Sequence, residues 1–219
     1  MATIILYRPA ELRSLCAAVT GVIQRSGLIG IPTETYYGVG ANPYDPGAVQ
    51  RIAAVKGRAP GKPLLVLIGD PVQLDRLVAV RSSVADLLIE RFWPGPLTIV
   101  FPARSGLPDE LTAGTGTVGV RWTSCEPLAD ILREVGPLTG TSANRSGTPP
   151  CRTAEEVERS LGGDLELIVD GGTTPGGLPS TVLRFERDAV QVLREGAIAS
   201  CILAQVLTDQ GFDLKSCEM

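Results

Sequence analysis

Short aliphatic runs fenced by proline or glycine, alternating with stretches of helical spacing, restrict this chain to an α/β fold. Residues 64–68 are five aliphatic side chains between Pro63 and Gly69, the pattern of a buried central strand. Residues 28–31 form a shorter run that stops at Pro32. Before it, Leu12, Leu15, Cys16, Val19, Val22 and Ile23 recur at three- and four-residue steps, and Ser26-Gly27 ends that helix. Helices are likewise expected at 46–56, 82–92, 127–135, 153–161 and 197–211. Strands are expected at 97–101, 117–122, 138–141, 167–169, 180–185 and 189–193, the last two as a hairpin. Several strands follow one another too closely for a regular βαβ series. The expected architecture is therefore a twisted mixed β-sheet flanked by helices, in a single domain. Residues 197–211 close that domain, and the last residues are expected to fray.

Composition narrows the chemistry. The 219 residues are 44% hydrophobic but only 5% aromatic, so aliphatic side chains must build the core. No apolar run approaches the roughly 20 residues of a membrane span, and the first residues do not read as a signal peptide. The expectation is a cytoplasmic protein. Its five cysteines (Cys16, Cys125, Cys151, Cys201 and Cys217) are widely spaced, without a CxxC pair, and are expected to be reduced thiols. The chain has no histidine. That removes Ser-His-Asp and Cys-His catalysis and the commonest transition-metal ligand. Catalysis would have to use lysine, arginine, carboxylates, hydroxyls, backbone dipoles or a metal delivered by substrate phosphates. The net charge of -4 does not advertise a nucleic-acid surface, although local basic clusters remain.

Two glycine-rich stretches imitate nucleotide motifs. Residues 114–119 satisfy GxGxxG, but β-prone Val118, Val120 and Trp122 follow where a dinucleotide site needs a helix. Residues 57–63 resemble a phosphate loop one residue short, with Pro63 where the magnesium-binding hydroxyl belongs.

Three other segments carry polar groups at predicted strand ends. Residues 32–40 supply Thr33, Thr35, Tyr36, Tyr37 and two glycines. Lys56, Arg58 and Lys62 place three cations within seven residues. Residues 139–147 supply Thr139, Thr141, Ser142, Asn144 and Ser146. Each alone also reads as an ordinary turn or a favourable charge at a helix C-terminus. Together they offer cations, hydroxyls and an amide without a nucleophile–base pair, which favours electrostatic chemistry on a polyphosphate. Residues 171–177, rich in glycine, are the candidate lid.

In sequence order, the chain carries PTETYYGVG (32–40), KGR with KPL (56–64), FWPGPLT (92–98) and VGVR (118–121). TSANRSG (141–147), PSTV (179–182) and LREG (193–196) continue the series. With these seven motifs the chain resembles the YrdC-type threonylcarbamoyl-AMP synthases, in their short, single-domain form. The resemblance implies a catalytic domain over 1–196, with 197–219 as a C-terminal helix and tail of the same domain. It also implies a nucleotidyltransferase. L-threonine, bicarbonate and ATP would give threonylcarbamoyl-AMP and pyrophosphate, and a partner complex would pass the threonylcarbamoyl group to tRNA.

Carried over by motif, Lys56, Arg58, Ser142 and Asn144 are the implied catalytic group on the ATP phosphates. Lys62, Thr117, the backbone of Ala143, Cys151 and Arg194 are implied further ATP contacts. Thr35, Arg121, Thr141 and Ser180 fall at threonine-binding positions, with Arg121 toward the substrate carboxylate. Magnesium would arrive on the ATP phosphates, and no resident metal is expected. Lys56→Ala is expected to stop turnover with the fold intact. Glu34 is either a base toward the threonine ammonium or a surface residue. Tyr36, Leu67 and Ala59 depart from the family pattern, and the first two bear on threonine preference. The rival readings are an RNA-binding module using Arg51, Lys56, Arg58, Arg121, Arg145 and Arg194, and the carbamoyl-adenylate chemistry of hydrogenase maturation proteins.

Overall fold

The computed structural model describes residues 1–57, 62–186 and 189–215. In chain order the elements are β1 (Thr3–Leu6), α1 (Leu12–Ile23), β2 (Ile29–Ile31), β3 (Gly38–Gly40), α2 (Pro46–Lys56) and β4 (Leu65–Ile68). Then come α3 (Ser83–Phe92), β5 (Leu97–Pro102), α4 (Asp109–Thr112), β6 (Thr117–Trp122), α5 (Glu126–Val135), β7 (Leu138–Thr139) and β8 (Thr141–Ser142). The chain continues with α6 (Ala154–Leu161), β9 (Leu167–Asp170), β10 (Thr181–Glu186), β11 (Ala189–Arg194), α7 (Ser200–Thr208) and β12 (Asp213–Lys215). The mixed α/β architecture is the expected one, with its strands divided between two sheets. A five-stranded sheet runs β1-β9-β2-β3-β8, and a seven-stranded sheet runs β12-β11-β10-β5-β6-β4-β7. Both mix parallel and antiparallel pairs.

The strand expected at 138–141 is in fact two. Leu138 and Thr139 pair with β4 in the larger sheet, whereas Thr141 and Ser142 pair with β3 in the smaller one. Gly140 makes the crossing while its N–H donates to the Leu65 carbonyl at 2.8 Å. A Cβ there would lie 2.5 Å from Leu67 Cδ1, so only glycine lets the strand pass that closely. The hinge between the sheets is a packing requirement.

Helix caps follow the sequence. Asp45 Oδ1 accepts from Gly47 N and Ala48 N at the start of α2, where Pro46 takes the first helical position. Gly57 ends α2 in the left-handed conformation at φ 58°. The buried face of α2 is Ala48, Val49, Ile52 and Lys56, which places a lysine on the apolar stripe. Leu15, Val19 and Val22 of α1 pack with Leu128, Ile131 and Leu132 of α5 over Ile29, Ile31 and Leu67. A larger cluster fills the other side of the sheets and takes in Ile198, Leu203 and Leu207.

Several elements were not foreseen. β1 is an edge strand whose Ile4 and Leu6 stay largely exposed, so it lacks the buried alternation that marks a strand in sequence. Residues 38–40, read as part of a polar turn, form β3, paired on both sides. The helix expected over 197–211 spans only Ser200–Thr208, and part of the supposed frayed end adds β12 beside β11. Among the described residues, no helix is long and apolar enough to cross a membrane. Cys16, Cys125, Cys151 and Cys201 are free thiols, as expected.

Candidate active site

A cavity of about 720 Å³ rests on one face of the seven-stranded sheet and is walled by the turn after β2 and the segment around β8. Its floor follows the two-residue period of a strand. Leu65 and Leu67 come from β4, Thr98 and Val100 from β5, Thr117, Gly119 and Arg121 from β6, and Val182 and Arg184 from β10. The β10–β11 register slips at Val182/Leu183, pairing Val182 with Arg194 and Leu183 with Val192. Leu193 is the extra residue of this bulge, and both it and Arg194 reach the cavity, which an unbroken strand would not allow. Among the described residues the lining includes three arginines, Arg121, Arg184 and Arg194, and no carboxylate. For a chain of net charge -4 this is a marked segregation of sign.

The walls are pre-shaped by hydroxyl turns. Buried Thr33 accepts from Thr35 N at 3.1 Å and Tyr36 N at 3.3 Å, and its hydroxyl donates to Tyr36 O at 2.6 Å. This holds Thr35 on the wall. Opposite, Arg194 donates through Nε and Nη2 to Ser180 O, and through Nη2 to Ser180 Oγ at 3.0 Å. Ser180 Oγ also shares a hydrogen bond with Thr98 Oγ1 at 2.9 Å. Burial, and then the neighbouring charge of Arg121, push the Arg194 pKa down. An arginine stays charged regardless.

Arg121 projects from the central strand β6 with only 5% of its side chain exposed. Its Nε lies 3.2 Å from Glu34 Oε1, and Thr123 Oγ1 donates to Glu34 Oε2 at 2.6 Å. The Arg121–Glu34 contact is close but poorly aligned as a hydrogen bond, so it is chiefly coulombic. Glu34 is thus not a surface residue; its carboxylate lies behind Arg121, off the cavity wall.

Lys56 is the residue most changed by the structure. It is 5% exposed and is not among the lining residues. Its ammonium donates to the Ser142 carbonyl, to Ser142 Oγ at 3.3 Å and to Asn144 O at 2.8 Å. It therefore shapes the 142–144 turn from behind. Asn144 Nδ2 donates to Arg145 O and Thr148 O, which fixes the amide orientation. Asn144 Oδ1 is then buried at the cavity wall with no partner among the described residues, an acceptor awaiting a donor.

Of the residues expected at the site, Thr35, Thr117, Arg121, Thr141, Ser142, Asn144, Ser180 and Arg194 line this one cavity. Ala143 and Cys151 do not: Ala143 N donates to Tyr37 O, and Cys151 O accepts from Tyr37 N, so both lie behind the wall. Lys62 is exposed and outside the lining, although Pro63 beside it contributes. Arg58 and Ala59 lie outside the described residues. Sequence reasoning missed Arg184 and Thr98 as lining residues. The alternation of β10, which puts Arg184 two residues after Val182, was the available signal.

The candidate lid, 171–177, is fastened at several points. Tyr37 Oη accepts from Gly171 N and donates to Gly172 O, Gly176 N donates to Thr35 O, and Tyr36 Oη donates to Gly177 O at 2.6 Å.

Fold and site together define an α/β protein with a cationic, hydroxyl-lined cavity on the open face of a mixed sheet, built to receive an anion. The family model for Sua5/YciO/YrdC, described as "Telomere recombination", matches residues 21–196. The chain belongs to that family. It is 38% identical over 202 residues to the threonylcarbamoyl-AMP synthase of Bacillus subtilis, covering 89% of this chain and 58% of that protein. It is also 38% identical to the threonylcarbamoyl-AMP synthase of Thiobacillus denitrificans, over 74% of this chain and 86% of that one. The structure of Pyrococcus abyssi Sua5 complexed with L-threonine matches with a TM-score of 0.88 and 34% identity, over 98% of this chain and 62% of that one. The chain thus spans about three-fifths of the Bacillus and Pyrococcus proteins.

Proposed function

We propose that this chain is a nucleotidyltransferase that makes threonylcarbamoyl-AMP and pyrophosphate from L-threonine, bicarbonate and ATP. The observation that supports it most is the cavity itself, which three arginines and a group of hydroxyls line together, with no carboxylate among the described lining residues. The relatives' shared name, and the threonine bound to one of them, support the same reading.

In the proposed reaction the threonine amine, having lost its ammonium proton, attacks bicarbonate carbon and water leaves, giving a carbamate. A carbamate oxygen then attacks the α-phosphorus, a new P–O bond forms, and the bond to the bridging oxygen breaks to release pyrophosphate. The attacking group is already anionic in this second step, so positioning and charge neutralisation suffice without a histidine. Arg121 receives the threonine carboxylate, with Thr35, Thr141 and Ser180 around the amino acid. Ser142, Asn144, Thr117 and Arg194 face the nucleotide, with Arg58 and Lys62 as further phosphate contacts. Lys56 holds the Ser142–Asn144 turn in place. Magnesium enters as part of the MgATP substrate, carried by phosphate oxygens and water. The product would then feed transfer of the threonylcarbamoyl group to tRNA by a partner complex.

The test is pyrophosphate release by the purified protein with threonine and bicarbonate supplied singly and together. Release that needs both supports the proposal. Folded protein that releases none with both present rejects it.

A further inference from the structure

We propose that Glu34 is a positioning residue that sets Arg121 for the substrate carboxylate, and is not a base in the reaction. The inference rests on the reading above and adds to it the origin of the carboxylate site. Arg121 and Arg194 both face the cavity, and two guanidinium groups in one partly desolvated space repel each other. Left alone, Arg121 would swing away from Arg194 or sample several rotamers. Glu34 opposes both tendencies, because it sits at the Nε side of Arg121, 3.2 Å away and 11% exposed. Nε is shut away from solvent beside Glu34, which leaves the terminal Nη pair as the end of Arg121 that meets the cavity. That end-on edge is the fork that binds a carboxylate with two parallel N–H bonds.

Glu34 is itself held. Thr123, 1% exposed, donates its hydroxyl to Oε2 at 2.6 Å, and the same Oγ1 accepts from Cys125 N at 3.1 Å at the start of α5. The chain of contact runs from a helix terminus through Thr123 and Glu34 to Arg121. A carboxylate so enclosed does not face the cavity, where a base would have to meet an ammonium. The sequence reads Glu34 inside a turn of hydroxyls, and only the register of β6 brings Arg121 and Thr123 beside it.

The experiment compares Michaelis constants for threonine and for ATP, with kcat, in the wild type, Glu34→Ala and Glu34→Gln, alongside thermal unfolding. Glutamine keeps the shape of the side chain and a contact with Thr123 Oγ1 but removes the charge that acts on Arg121. Glu34→Ala is expected to raise KM for threonine by about 30-fold or more while KM for ATP and kcat change by less than about 5-fold, since preorganisation acts on binding of the amino acid. Because the contact is chiefly coulombic, Glu34→Gln is expected to raise KM for threonine as well, by about 10-fold or more, with kcat within about 5-fold of wild type. Loss of kcat in Glu34→Gln as deep as in Glu34→Ala, with threonine KM unchanged, would make Glu34 the base and overturn the inference. Equal change in both Michaelis constants would reduce it to a structural residue and overturn it too. If Glu34→Ala does not fold, a threonine KM in Glu34→Gln raised by about 10-fold or more at similar kcat supports positioning, and a collapsed kcat refutes it. A wild type with no threonine-dependent turnover fails at the earlier step, and the functional reading falls with it.

Discussion

Replacing Lys56 by methionine should destabilise the protein as well as inactivate it. The substitution keeps the length and apolar stem of the side chain, so it leaves no cavity, but it removes the ammonium bonded to Ser142 and Asn144. Ser142 O retains one donor, Asn144 N at 2.9 Å. Ser142 Oγ, on an exposed residue, can turn to water, whereas Asn144 O loses its ammonium in a buried setting, and a buried acceptor left short costs about 1–3 kcal/mol. That one group amounts to about 1–3 kcal/mol, tempered because burying the ammonium itself carries a desolvation cost. For a chain of this size each kcal/mol lowers Tm by about 2–4 °C, so a fall of roughly 2–12 °C is expected. Thermal unfolding by circular dichroism measures it, with turnover measured on the same sample. Activity lost at an unchanged Tm would refute the reasoning, because the ammonium would then act on substrate and not on the turn. The motif alone suggests that second outcome, with the fold intact.

The other expectations concern the thiols and the sheet junction. Burial pushes the Cys125 thiol up to about 11 from its ordinary 9.0, so the folded state holds that proton where the unfolded chain has lost it. Stability should therefore decline as pH rises from about 9 to about 11, and Cys125→Ser should flatten the decline in unfolding measured across that range. In the native state at pH 8, iodoacetamide should label exposed Cys201 well before Cys16, Cys125 or Cys151, as read by peptide mass spectrometry. Gly140→Ala would drive a Cβ into Leu67, at the cavity floor, and should cost about 1–3 kcal/mol in urea unfolding. A neutral effect would mean that the two sheets are not pinned there.

Most of the fold was legible because it is written in local periodicity. The helix at 46–56 and the strand at 117–122 appear with the expected bounds. What failed was the information that periodicity does not hold. Residues 138–141 read as one strand because nothing local says that Thr139 and Thr141 bond to different sheets. The edge strand Thr3–Leu6 escaped because an exposed edge lacks a buried face. Eight of the expected site residues share one cavity because the motifs lie at the turns and sheet face that form it. Lys56 was legible in a different sense: Val49, Ile52 and Lys56 share the buried helical stripe, so its burial could have been read from spacing before its motif suggested phosphate. Glu34 could not be resolved, because its partners Arg121 and Thr123 are distant in sequence and meet it only through sheet register.

The central claim is that an amino-acid carbamate and a nucleotide meet in this cavity and are joined through the α-phosphate. Mass spectrometry of the product formed from ¹³C-bicarbonate, unlabelled threonine and ATP tests it most directly. The account predicts a single adduct containing threonine, AMP and one labelled carbon, absent when bicarbonate is withheld. An adduct of threonine and AMP without the label, formed equally well without bicarbonate, would contradict it.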